Sequence, residues 1–92
     1  MSSQAIVDPK ELRRFAQALK RFNNELASSS QRINGEFRRL GDTWRDQKYR
    51  KFSHEFEQTL KMIQRFLQTS EPFVPFLNKE AGIIEEYLRH HH

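Results

Sequence analysis

The sequence predicts an all-α fold: a long antiparallel helical hairpin that dimerises into an elongated four-helix bundle, with the second arm kinked near Pro72–Pro75. Three observations lead there. Two apolar stripes at helical spacing, each roughly 30 residues long, flank the stretch Leu40-Gly41-Asp42-Thr43-Trp44-Arg45-Asp46. No segment alternates apolar and polar residues with the period of a strand. Finally, 36% hydrophobic and 30% charged residues in a 92-residue chain suit one apolar face per helix better than a thick, centred core. A chain of this size makes one domain, read here as residues 1–89.

Residues 1–7 read as a short arm whose Ile6 and Val7 pack back onto the first helical turn. Asp8-Pro9-Lys10-Glu11 is a helix start with a mechanism. Asp8 caps free N–H groups, Pro9 sits where its missing N–H costs nothing, and Glu11 completes a capping box. Helix 1, about 9–40, shows Leu12, Phe15, Leu19, Phe22, Leu26, Ile33, Phe37 and Leu40. The steps of 3 and 4 form a heptad seam with one position missing, at Ser29 or Ser30. Ser28-Ser29-Ser30 and Asn34-Gly35 are weak helix formers. The interval from Leu26 to Ile33 is nonetheless one whole heptad, so the helix is expected to run through; a true break would give a three-helix arrangement instead.

The turn spans 41–46. Gly41 suits the left-handed position just past a helix end, and Asp46 is the expected N-cap of helix 2. Helix 2, about 47–70, carries Tyr49, Phe52, Phe56, Leu60, Ile63, Phe66 and Leu67, flanked by Met62. Pro72 and Pro75 each remove a backbone donor, and Ser70 can cap a new segment. Heptad columns continue across them, from Phe66 to Phe73 and through Leu60, Leu67, Val74, Ala81 and Leu88. Preserved phase predicts a kink rather than a reversal, with 72–88 extending the second arm. Glu57–Lys61 and Glu85–Arg89 are spaced for ion pairs along a helix. His90-His91-His92 read as the remnant of a purification tag.

Two arms of this length cannot cover each other's stripes all round, and an apolar strip of that size marks an interface. The economical closure is a homodimer, or a heterodimer with a similar chain, built on the stripe from Leu12 to Leu40 together with Phe52, Phe56, Leu60, Ile63, Phe66 and Leu67.

No catalytic, cofactor or metal site is expected. There is no Cys, His54 has no Glu-x-x-His partner, the glycines at 35, 41 and 82 make no phosphate loop, and no Ser sits in a nucleophile elbow. No apolar run approaches the length that spans a bilayer. The N-terminus lacks the basic and apolar regions of a Sec signal peptide, so the protein is expected in the cytoplasm or exported by another route. Formal charge is +4, and Arg38, Arg39, Arg45, Lys48, Arg50 and Lys51, opposed by Asp42 and Asp46, carry a net +4 within the turn region alone. That cluster is a candidate docking surface for an acidic protein, an anionic membrane or a phosphate backbone. No recognised nucleic-acid motif accompanies it.

Two amphipathic helices in about 100 residues, with a Trp at the bend and an aromatic helix face after it, resemble the Trp-x-Gly family of early-secreted-antigen-like substrates of type VII secretion. Trp44-Arg45-Asp46 matches the Trp and departs at the Gly, where Asp46 stands. Tyr49, Phe52 and Phe56 look like the family's apolar positions after the turn. The family's C-terminal signal, Tyr-x-x-x-Asp/Glu, is not matched at Tyr87, which is followed four residues later by His91. The resemblance implies a hairpin dimer that acts by binding: an exported effector, or an adaptor for a larger toxin or a secretion ATPase. Two other readings stay open, a basic regulatory dimer binding nucleic acid through the Arg38–Lys51 tip and a scaffold subunit of a larger helical assembly.

Overall fold

The computed structural model describes residues 7–90; Ile6 and the last two His residues lie outside them. Three helices follow one another, α1 (Pro9–Leu40), α2 (Gln47–Ser70) and α3 (Phe73–His90), with no strand among the described residues. α1 forms one arm of the hairpin, and α2 and α3 return beside it. The molecule measures 69 × 26 × 14 Å with a radius of gyration of 20.6 Å. A compact globule of this length has a radius near 12 Å. A thickness of 14 Å is little more than one helix with its side chains, so the hairpin is a single layer with two open faces.

The caps explain the helix bounds. The Asp8 carboxylate accepts from the Lys10 N–H at 2.9 Å, with Pro9 opening the helix. Glu11 does not reach back to complete a capping box; it pairs with Arg14 at 2.7 Å, one turn on. α1 then runs unbroken through Ser28–Ser30 and Asn34-Gly35. Its end departs from the expected left-handed glycine. Gly41 is right-handed helical, φ −65° and ψ −15°. Glycine leaves space there: a Cβ would lie 2.5 Å from the Tyr49 hydroxyl, so a larger residue would have to displace that ring. Asp46 caps α2, accepting from the Tyr49 N–H at 3.0 Å.

Between α2 and α3 the backbone bends without reversing. Glu71 keeps helical torsions, φ −55° and ψ −43°, and its N–H reaches Leu67 O at 2.9 Å. Pro72 and Pro75 take two donors out of the ladder, and Phe76 N–H already bonds Pro72 O at 3.3 Å. Ser70 does not cap α3. It is buried and donates its hydroxyl to Asn23 Oδ1 at 3.1 Å, across the hairpin.

The seam between the arms is built from small and polar residues. Pro9, Ala16, Asn23 and Phe37 are the buried positions of α1, in one heptad column; Ser70 and Ala81 face them. Ala16 and Ala81 are wholly buried. Because alanine keeps little bulk between the axes, α1 approaches α3 more closely than α2. Near the turn, the rings of Phe37, Tyr49 and Phe56 hold α1 and α2 farther apart. Arg13 fastens α3 to α1 with two hydrogen bonds to Glu85, at 2.9 and 2.7 Å. That replaces the expected Glu85–Arg89 pair: Arg89 pairs with Glu86 instead, and Glu57 and Lys61 form no ion pair.

Candidate interaction surface

Successive residues turn 100° about a helix axis, and that angle separates two columns on α1. Pro9, Ala16, Asn23 and Phe37 point at the returning arm. Phe15, Phe22, Ile33 and Leu40 lie roughly 90° round the helix from them and are exposed, Phe15 by 57%. On the other arm, the heptad column Phe52, Thr59, Phe66 and Phe73 stands beside the seam in the same way, with its three rings at least 41% exposed. The two columns share one side of the hairpin. The Phe22 and Phe66 rings meet edge to face at 6.0 Å. Ile33, Leu40 and Phe52 line one shallow depression of about 170 Å³, floored by Phe37 and Phe56. Phe76, Ile83 and Tyr87 continue the exposed apolar surface along α3. Leu12, Leu19, Leu26, Leu60, Ile63 and Leu67 are half-buried between seam and open face. Of the stripe identified in the sequence, only Phe37 is buried.

The opposite side is polar. It carries the Arg13–Glu85 pair and a groove lined by Lys20, Asn23, Asn24, Glu71, Val74 and Pro75. Asn23 Nδ2 is buried without a partner, as is the Ser30 hydroxyl oxygen. The hairpin is therefore two-sided, with polar groups on one broad surface and large apolar side chains on the other.

The turn is a compact aromatic cluster. The Trp44 ring lies 5.3 Å from Tyr49 and 6.0 Å from Phe52, and Phe37 stacks on Tyr49 at 5.8 Å. Asp46 caps α2 beside it, accepting the Tyr49 N–H at 3.0 Å. That bond foremost, with the Trp44 indole and the Lys48 amide nearby and the charge of Arg50, keeps the Asp46 carboxyl below the usual carboxylate range. Arg38, Arg39, Arg45, Lys48, Arg50 and Lys51 surround the cluster and are all exposed. Among the described residues only Arg39 of these six forms an ion pair, with Glu36 at 3.5 Å.

Sequence reasoning overlooked the Ala16–Asn23–Ala81 seam, because its residues carry no apolar signal. It also left Phe73, Phe76 and Ile83 out of the candidate surface; the heptad continuation from Phe52 and Phe66 is the signal that finds Phe73. Among the described residues no cluster of His, Asp or Glu is arranged to hold a metal ion, and no helix is long and apolar enough to cross a membrane.

No curated protein and no solved structure matches the chain. A family model does, that of WXG100, described as proteins of 100 residues with WXG, over residues 4–71. The match takes in α1, the turn with Trp44 and all of α2, ending where the second arm bends. On a helical hairpin with its tryptophan at the bend, and over most of its length, the chain belongs to the WXG100 family.

Proposed function

We propose that this protein is a non-enzymatic interaction module whose working form is a dimer. A second copy, or a similar chain, covers the apolar face formed by Phe15, Phe22, Ile33, Leu40, Phe52 and Phe66, and the pair makes an elongated four-helix bundle. The supporting observation is the open face itself. Large side chains on one side of a single-layer hairpin remain about half exposed, and completing their burial is worth roughly half of the 1.5–3 kcal/mol that full burial brings to each. The pair serves secretion, as an exported effector or as an adaptor that presents a larger toxin to a membrane ATPase. That part rests on membership of the WXG100 family.

Two experiments separate these levels. Sedimentation equilibrium at micromolar concentration should give the mass of two chains, and a monomer with its helices intact refutes the dimer. In the source organism, the protein should be found in culture supernatant and be lost from it when the secretion ATPase is deleted. Strict retention inside the cell refutes the export role and leaves the dimer standing.

A further inference from the structure

We infer that the turn end of the hairpin is a docking tip for an anionic lipid surface. The first observation is where the charge resides. The chain carries 16 Lys and Arg against 12 Asp and Glu. Residues 38–51 hold Arg38, Arg39, Arg45, Lys48, Arg50 and Lys51 against Asp42 and Asp46, so the rest of the molecule is balanced and the whole formal excess of +4 sits at one end. Arg38 is two residues from the end of α1, and Lys51 is the fifth residue of α2. At 1.5 Å per residue, all six cations lie within about 8 Å of the end of the helices, on a molecule 69 Å long.

The second observation is that these charges are unspent. Arg13, Arg14 and Arg89 elsewhere on the molecule have carboxylate partners. Five of the six at the tip have none among the described residues. Lys48, Arg50 and Lys51 also begin α2, whose first turn contains no acidic residue. Asp46 caps that end, but three cations behind one carboxylate still oppose the positive end of the helix dipole, and an external anion relieves that repulsion.

The layout selects the partner. Cations leave the tip on both arms and from the bend between them. A planar array of lipid phosphates and carboxylates meets them together. Single-stranded nucleic acid needs free aromatic faces to stack on, whereas Trp44, Tyr49 and Phe52 are engaged with one another. Half-buried Trp44 lies at the same end, a residue type that favours the headgroup level. The surface does not depend on the proposed dimer, because the cations flank the apolar face rather than occupy it.

The chain has one tryptophan, and it stands in this tip, so its emission reports docking directly. The test is flotation of the full chain with vesicles of phosphatidylcholine alone and with one third phosphatidylserine, followed by Trp44 fluorescence. The protein should float only with the anionic vesicles, release at high salt, and shift Trp44 emission to the blue on binding. A variant with Arg45, Lys48, Arg50 and Lys51 changed to Gln should lose roughly fivefold in affinity per cation removed. A control with Lys20, Arg21, Lys61 and Arg65 changed to Gln removes the same charge elsewhere and should bind nearly as the parent. Circular dichroism establishes that both variants keep their helices. The inference is overturned by no flotation at low salt, by equal loss in the two variants, or by tighter retention of a DNA duplex or polyglutamate than of the vesicles.

Discussion

Asp46 occupies the third place of the family's tripeptide, where a glycine is usual, and its substitution has a physical account. The carboxylate caps α2 at the Tyr49 N–H, and the Trp44 indole beside it favours its charged form. Its carboxyl is held below the usual range, and so is that of Glu85, by the Arg13 guanidinium. A group whose folded pKa is depressed stabilises the fold above its unfolded value, near 4, and that contribution disappears as pH falls through the folded value. Thermal melts should therefore lose midpoint temperature below about pH 4, and Asp46→Asn and Glu85→Gln should each flatten that acid limb. An unchanged limb in both variants would contradict these assignments. Asp46→Gly restores the usual tripeptide and should lower the melting temperature while loosening Trp44, visible as greater fluorescence quenching by iodide. The cap was legible in the sequence, because Asp before an amphipathic run has one favourable use. The role of Gly41 was not. It follows from where the Tyr49 hydroxyl comes to rest, a contact between two helices that no local pattern announces.

At the scale of elements, the arms close on small residues, and this decides which substitutions are costly. Ala16→Leu and Ala81→Leu put new bulk where no side chain has room. Each should destabilise the hairpin by about 1–3 kcal/mol in urea denaturation, although leucine is apolar and close to alanine in helix propensity. The Asn23–Ser70 bond gives a second check. Ser70→Ala leaves a buried acceptor unpaired, at a cost of about 1–3 kcal/mol. The double variant Asn23→Ala/Ser70→Ala should lose less than the sum of the singles, and strict additivity would mean that the two side chains are not coupled. The helical segments and the kink were readable from period and phase. The path of the seam was not, because alanine, asparagine and serine score as neutral whether they face water or another helix. Hydrophobic periodicity marked the face that the hairpin leaves open more than the face it closes.

For the whole molecule, the hairpin architecture followed from two stripes and one turn. What the stripes could not say is how they divide between the hairpin's own interface and a partner's, because both lie within about 90° on the same helix. The structure assigns Phe37 to the first and leaves Phe15, Phe22 and Ile33 exposed. Phe22→Glu with Phe66→Glu should thus shift sedimentation from dimer to monomer at micromolar concentration with helicity largely kept. Loss of helicity on its own, without a change in mass, would place these rings in the hairpin's own core instead.

The thickness of 14 Å has a consequence for exchange of backbone amides with solvent. A layer one helix deep buries little beyond its seam, so depth below the surface grades its protection weakly. In the lone chain, each amide of α1 is shielded by its own hydrogen bond and one rank of side chains. Protection beyond that comes from whatever lies over the open side. Deuterium uptake along α1 should accordingly quicken as the protein is diluted below the dissociation constant of its proposed dimer, whereas a domain with a closed core takes up label at a rate indifferent to its own concentration.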